Sequence, residues 1–192
     1  MNIAIENHQD AGSDDLLWLC EQVGSERIGV TLDTGNPLAV GEDPLVFACR
    51  VAPYLKNVHL KDYQIFRAPG GYRLVRCAVG AGVIDFPALF ALFAREAPAA
   101  PCSIELGATK ARHIRLLTPE WWEHFPARDV RELLSVLNLV ACHGRPEEAE
   151  WRTPHEREAP DAERVAYELG QFQESVRYLA RLAGERSAAT GD

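Results

Sequence analysis

Four side chains with metal-ligating chemistry, Glu6, Asp33, His59 and Glu105, each stand at the end of a short run of strand-forming residues. The runs are Ile-Ala-Ile-Glu at 3–6, Gly-Val-Thr-Leu-Asp at 29–33, Val-His-Leu-Lys-Asp at 58–62 and Ser-Ile-Glu-Leu at 103–106. Three carboxylates and one imidazole are hard-to-borderline donors, better matched to Mn²⁺, Mg²⁺ or Co²⁺ in an octahedral site than to a structural zinc. Such a site would leave positions open for a substrate carbonyl and its neighbouring hydroxyl. The cation would then stabilise the charge that develops when the adjacent C–H proton is removed. Glu6 and Glu105, from opposite ends of the set, would flank the substrate as a base and acid pair. A single carboxylate at a strand end is usually a cap or a solvated loop residue, and a lone His after a Val is usually a satisfied core residue. The weight lies in all four runs ending alike. His8, Asn36 and Lys61 are further candidates for orienting a substrate or a ligand. Lys110, Arg112, His113 and Arg115 could hold an anionic or polyhydroxylated substrate but read more simply as a solvated basic loop, and Trp121-Trp122 as packing.

The elements that must position these groups follow from local signals. Strands are expected at Ile3–Glu6, Ile28–Asp33, Asn57–Asp62 and Cys102–Leu106, the first buried on both faces. Ser13 is the expected N-cap of a helix carrying Leu16, Leu17, Cys20 and Val23 and closed by Gly24. Asp43 with Pro44 opens a second helix ending near Pro53, and Asp85 a third across Phe86–Glu96. Pro69-Gly70-Gly71, between Gln64–Phe66 and Tyr72–Cys77, marks a small hairpin. Thr118-Pro119-Glu120 opens another helix. Strands alternating with helices imply βα units and a parallel sheet. Within the strands Ile3, Ile5, Val30, Leu32, Val58, Leu60, Cys102 and Ile104 form one face, suited to packing under helices. The other face is small or polar and carries the four ligands, which suits the axis and mouth of a (β/α) barrel.

The tail differs in character. Val130–Val140 is an apolar helix expected to be buried, and about 145–164 is a charged linker or loosely held arm. The last helix should dock through a stripe of Val165, Leu169, Phe172, Val176 and Leu179. A formal net charge of −8 argues against a nucleic-acid partner, because phosphate binding needs clustered Lys and Arg. Residues 1–15 lack a signal-peptide pattern and the apolar runs are too short for a membrane span, so a cytoplasmic protein without membrane contact is expected. Five cysteines, odd in number and without a Cys-x-x-Cys pair, read as reduced, buried thiols.

Ile-Glu-Asn-His, Leu-Asp-Thr-Gly-Asn, Val-His-Leu-Lys-Asp, Val-Gly-Ala-Gly-Val-Ile-Asp-Phe and Ser-Ile-Glu-Leu, in that order, resemble the second half of the xylose-isomerase-like sugar phosphate isomerase/epimerase superfamily. The resemblance covers about residues 3–125, and ligand intervals of 27, 26 and 46 residues suit it. It implies an α/β fold that is a partial (β/α)8 TIM barrel, the last four βα units, over 1–126, with a C-terminal helical extension over 127–192. It implies a divalent metal, Mn²⁺ or Mg²⁺ with Co²⁺ as a further option, on Glu6, Asp33, His59 and Glu105. The implied activity is isomerisation or epimerisation of a sugar or hydroxy-ketone through a metal-stabilised enediolate. The alternatives are a dehydratase of a polyol or cyclic keto compound with His8 or Lys61 as base, and a truncated, non-catalytic half barrel. The family's DNA-repair branch carries extra metal-binding histidines; Asn36 stands where the first would be and none follows Lys61, which argues against a trinuclear zinc site. A half barrel leaves open edges at Ile3–Glu6 and Cys102–Leu106, so the expected partners are a second copy or a chain supplying the missing half, besides the small polyhydroxylated substrate.

Overall fold

The computed structural model of the chain describes residues 1–105, 107, 110–125 and 128–190. Leu106, at the end of the last expected strand, and Pro126 and Ala127, at the expected boundary between barrel and extension, lie outside the described residues.

The chain begins with β1 (Ile3–Glu6), α1 (Ser13–Val23), β2 (Ile28–Asp33), α2 (Pro44–Val51) and β3 (Leu55–Leu60). A hairpin of β4 (Asp62–Ala68) and β5 (Gly71–Cys77) follows, then α3 (Phe86–Glu96), β6 (Cys102–Ile104) and β7 (Arg112–Ile114). The last two helices are α4 (Val130–His143) and α5 (Asp161–Thr190). Strands β1, β2, β3 and β6 make one parallel sheet in that order, with Glu6 opposite Thr31, Asp33 opposite His59 and His59 opposite Ser103. The register brings the C-terminal tips, and so the candidate ligands, to one end of the sheet.

Core formation is concentrated in the two central strands. Val30, Leu32 and Val58 have no exposed surface and pack with Phe47, Val51, Phe86 and Leu89 from α2 and α3. Burying each such side chain contributes about 1.5–3 kcal/mol. The helix signals behave as their chemistry requires. Asp43 accepts from the backbone amides of Leu45 and Val46, and Asp85 from that of Ala88. Gly24 closes α1 in the left-handed region at φ 60°, its N–H bonded to the Cys20 carbonyl.

Several expectations are corrected. Strand β1 is an edge strand rather than one buried on both faces, and Ile3 is 53% exposed because only β2 pairs with it. Cys102, on the opposite edge, is exposed for the same reason. Cys49 and Cys142 are exposed as well, leaving Cys20 and Cys77 as the buried thiols; all five are free. Gly12, not Ser13, is the N-cap of α1, because the Ser13 amide and hydroxyl are both taken by buried Glu42. The third strand ends at Leu60, since Asp62 turns away to start the hairpin. Residues 119–124 form a 3₁₀ rather than an α-helix.

The hairpin is larger than expected and gains a third strand. β7, read from sequence as loop, pairs antiparallel with β5, Arg73 opposite His113. Tyr72, Leu74 and Ile65 turn inward, and the Tyr72 hydroxyl donates to the Leu38 carbonyl at 2.5 Å. The 145–164 segment is held rather than loose. Arg145 exchanges backbone bonds with Ile65 and Arg67, Thr153 and Ala159 are buried, and Trp151 lies under the Arg73 guanidinium. In α4 Val136 is buried, while Val130 and Leu134 face solvent. Helix α5 docks through Gln171, Ser175, Tyr178 and Leu182; Val165, Leu169, Phe172 and Val176 of the expected stripe are exposed and Leu179 is half-buried. The inward face is part polar, and apolar periodicity alone does not reveal it.

Candidate active site at the strand tips

The strand tips are tied together before any ligand is considered. Asn7, just past β1, brackets the backbone of Asp33: its Nδ2 donates to the Asp33 carbonyl at 3.0 Å and its Oδ1 accepts from the Asp33 amide at 2.6 Å. Thr34 does the same for Lys61, accepting from its amide at 2.9 Å and donating to its carbonyl at 2.7 Å. The Glu105 amide donates to the Leu60 carbonyl at 3.1 Å, continuing the ladder past β6. Burying these polar side chains is costly unless such bonds are made, and here they tie the ends of β1, β2 and β3 together. Neither Asn7 nor Thr34 was singled out from sequence, although an Asn directly after a candidate ligand is a local signal.

Glu6, His59 and Glu105 come together. One ligand atom from each lies within 4.8 Å of the others, with His59 Nδ1 at 3.4 Å from Glu6 Oε1 and 3.6 Å from Glu105 Oε2. Glu105 Oε2 is buried and accepts no hydrogen bond among the described residues. Asp33 sits beside this group rather than in it. Its Oδ1 accepts from the amides of Gly35 and Asn36 at 2.9 and 3.1 Å, and its Oδ2 is ion-paired with Lys61.

Lys61 bridges the two halves of the site, its Nζ lying 2.8 Å from Glu105 Oε1 while it pairs with Asp33. Burial works against its charge, but Asp33, then Tyr63 and Glu105, carry its pKa above the ordinary lysine value. Burial pushes the Asp33 carboxyl up, against the pull of Lys61 and helped by the nearby Glu105. Glu105 moves down: burial resists, but Asp33, Lys61 and Arg76 favour its ionised form.

The remaining candidates divide. His8 is exposed on the rim. Asn36 is fully buried, its Nδ2 donating to the Asn7 carbonyl at 3.0 Å and its Oδ1 accepting from Gln9 Nε2 at 3.2 Å. Lys110 and Arg112, read as solvated, line a cleft of about 320 Å³ together with Lys61, Glu105 and two residues not foreseen, Gln9 and Arg76. His113 and Arg115 lie outside it, and His113 Nε2 meets the Pro69 carbonyl at 2.9 Å. Trp121 and Trp122 pack on each other and on Phe125. Arg76 was hidden because nothing local marks one Arg in an alternating hairpin as inward-facing.

Comparison with known proteins bears on the fold and the family. The chain is 32% identical over 89 residues to the uncharacterized protein YihM of Escherichia coli K12, a match covering 46% of this chain and 27% of that protein. It is 29% identical over 91 residues to a 3-oxo-isoapionate decarboxylase of Pectobacterium atrosepticum, covering 46% of this chain and 33% of the relative. The chain thus spans about a third or less of the curated relatives it matches. Among solved structures, a xylose isomerase-like TIM barrel protein from Mycobacterium smegmatis in complex with magnesium superimposes with a TM-score of 0.50 at 17% identity, over 73% of this chain and 45% of that one. The parallel sheet is accordingly part of a (β/α)8 barrel. The family model for xylose isomerase-like TIM barrels matches residues 1–139, and the chain belongs to that family.

Proposed function

We propose that this chain is the metal- and substrate-binding part of a divalent-cation-dependent isomerase or epimerase, which moves a proton at a carbon next to the carbonyl of a polyhydroxylated substrate. The observation that carries the reading is the convergence of Glu6, His59 and Glu105 at the tips of parallel strands. The donor set fits a hard cation such as Mn²⁺ or Mg²⁺, and the buried Oε2 of Glu105, which accepts no hydrogen bond among the described residues, is an acceptor a cation would satisfy. Glu6, His59 and Glu105 would hold the ion, with Asp33 as a fourth ligand once Lys61 gives up its Oδ2. The magnesium named for the Mycobacterium smegmatis structure is an ion of the same class. When bound, the cation would polarise a carbonyl and lower the cost of deprotonating the adjacent carbon.

The protein's own groups supply the proton movements. Glu6 and Glu105 stand on either side of His59, so one can take a proton from a substrate carbon while the other returns one. Lys61, beside Asp33 and Glu105, is placed to donate to a substrate oxygen. His8 and Lys61 are the two bases of the dehydratase alternative. The 3-oxo-isoapionate decarboxylase among the relatives is named for loss of a carboxyl group, a step that in a 3-oxo acid also leaves negative charge beside a carbonyl.

The open edges of β1 and β6 make a second copy, or a chain carrying the other barrel strands, part of this proposal. Calorimetric titration of Mn²⁺ into the full chain tests the reading. Binding near one ion per chain, lost in Glu6→Gln and Glu105→Gln, is expected. No binding and no change in melting temperature would sink it.

A further inference from the structure

Arg76 is a strongly buried cation of the cleft whose guanidinium is paired only loosely. Its side chain is 5% exposed, and its guanidinium finds, among the described residues, only Glu105 at 3.9 Å, beyond hydrogen-bond reach. Glu105 is already committed to Lys61 at 2.8 Å. Lys110 and Arg112 at the rim have no ion pair among the described residues, and Arg76 at the floor has only the long one to Glu105. A desolvated guanidinium facing a cavity is costly unless a ligand completes it, and its planar fork suits an oxyanion with two oxygens to offer.

A second observation points to the rest of the ligand. Gln9 lines the same cleft, and its buried Oε1 accepts no hydrogen bond among the described residues. The amide cannot be turned over to cure this. Asn36 donates through Nδ2 to the Asn7 carbonyl, so its Oδ1 must face Gln9 and takes the Gln9 Nε2 donor. The Gln9 oxygen is thus the acceptor left over at this wall of the cleft, and a ligand hydroxyl could donate to it.

We infer that the cleft between the hairpin and the strand tips is a subsite for a small hydroxylated acid, its oxyanion held by Arg76 with Lys110 and Arg112 and a hydroxyl donating to Gln9 Oε1. This deepens the proposed function and rests on it for placing the reacting carbon at Glu6 and Glu105. The carbon chain would run from the oxyanion at Arg76, past Lys61, to the carboxylates. Neutral sugars and polyols would leave the guanidinium unsatisfied and bind poorly. The oxyanion could be a carboxylate or a phosphoryl group, the two sources of this chemistry.

The test is calorimetry on the full chain with four probes: gluconate, glucose 6-phosphate, inorganic phosphate and the neutral polyol glucitol. A bidentate charge-assisted contact predicts that the preferred acid binds about ten- to a hundredfold more tightly than glucitol. Arg76→Gln abolishes the preference, and Lys110→Gln with Arg112→Gln, at exposed positions that leave folding alone, reduces it. Preference for gluconate assigns a carboxylate; preference for glucose 6-phosphate and phosphate assigns a phosphoryl group. Equal binding of all four, or a preference that survives both sets of substitutions, overturns the inference. Mn²⁺ titration of the same samples separates this from the metal reading: an intact Mn²⁺ isotherm without anion preference leaves that reading standing and removes this one, and the reverse pattern does the opposite.

Discussion

The ammonium of Lys61 and the carboxylate of Asp33 form an ion pair whose side chains are 6% and 0% exposed, joining the ends of two adjacent parallel strands. A pair this deep need add little net stability, yet leaving either charge alone is expensive. Lys61→Met should therefore destabilise the chain by about 3–5 kcal/mol. The double variant with Asp33→Asn should recover most of that loss. Urea unfolding of the four members of the cycle measures it, and strictly additive losses would show that the two charges are not coupled.

Asp62 offers a pH signature away from the candidate ligands. Its carboxyl accepts from the amides of Tyr63 at 2.8 Å, Gly80 and Gly82 at 2.9 Å, and Ile84 at 3.2 Å. Burial pushes it up to about 6, with those four amides pulling the other way. A carboxyl whose folded pKa lies above its unfolded value contributes stability that is complete below the unfolded pKa and is lost as pH rises through the folded one. The advantage of wild type over Asp62→Asn in unfolding free energy should thus shrink between about pH 4 and pH 6, by on the order of 2–3 kcal/mol. An advantage that grows over that interval would mean the four amides outweigh burial.

The turn that presents these amides makes its own demand. Gly80 has φ 86°, a conformation side chains resist, and the space beside its Cα is filled by the Tyr178 ring. Gly80→Ala should lower stability by at least about 1–2 kcal/mol in thermal or urea unfolding, whereas Gly170 and Gly184 of α5, where nothing among the described residues crowds an added Cβ, should tolerate alanine or gain from it.

Metal binding should show in stability as well as in calorimetry. If the ion binds the folded chain alone, Mn²⁺ at a hundred times its dissociation constant adds about 2.7 kcal/mol to unfolding. His59→Ala and Glu105→Gln should remove that increment, and Arg76→Gln should keep it. Loss of the increment in Arg76→Gln would place Arg76 in the metal site rather than in the anion subsite.

Much of the site and scaffold could be read without coordinates, for identifiable reasons. Asp43 and Asp85 mark helix starts because the chemistry of an N-cap is local, and Ile28–Asp33 reads as a strand because β-formers run unbroken to a Gly turn. Glu6, His59 and Glu105 were legible because parallel strands deliver their last residues to one end. What escaped depends on contacts distant in sequence. β7 is a three-residue strand that exists only because β5 is there to pair with it. Arg76, Gln9 and the clasp around Asp62 become visible only once the hairpin is laid against the sheet. The docking face of α5 escaped because Ser175, a polar residue, is at its centre, 1% exposed, where an apolar stripe was expected.

That docking face has a mechanical consequence. Gln171 Nε2 and the Tyr167 hydroxyl donate to the Arg76 carbonyl at 3.3 and 3.4 Å, and Ser175 Oγ accepts from the Val79 amide at 2.9 Å. The long helix therefore splints the stretch that holds the buried guanidinium and leads into the turn clasping Asp62. Amides from Val79 to Ile84 and those of the middle of α5 should then open as one unit in hydrogen exchange, so that loosening the helix slackens the wall of the cleft.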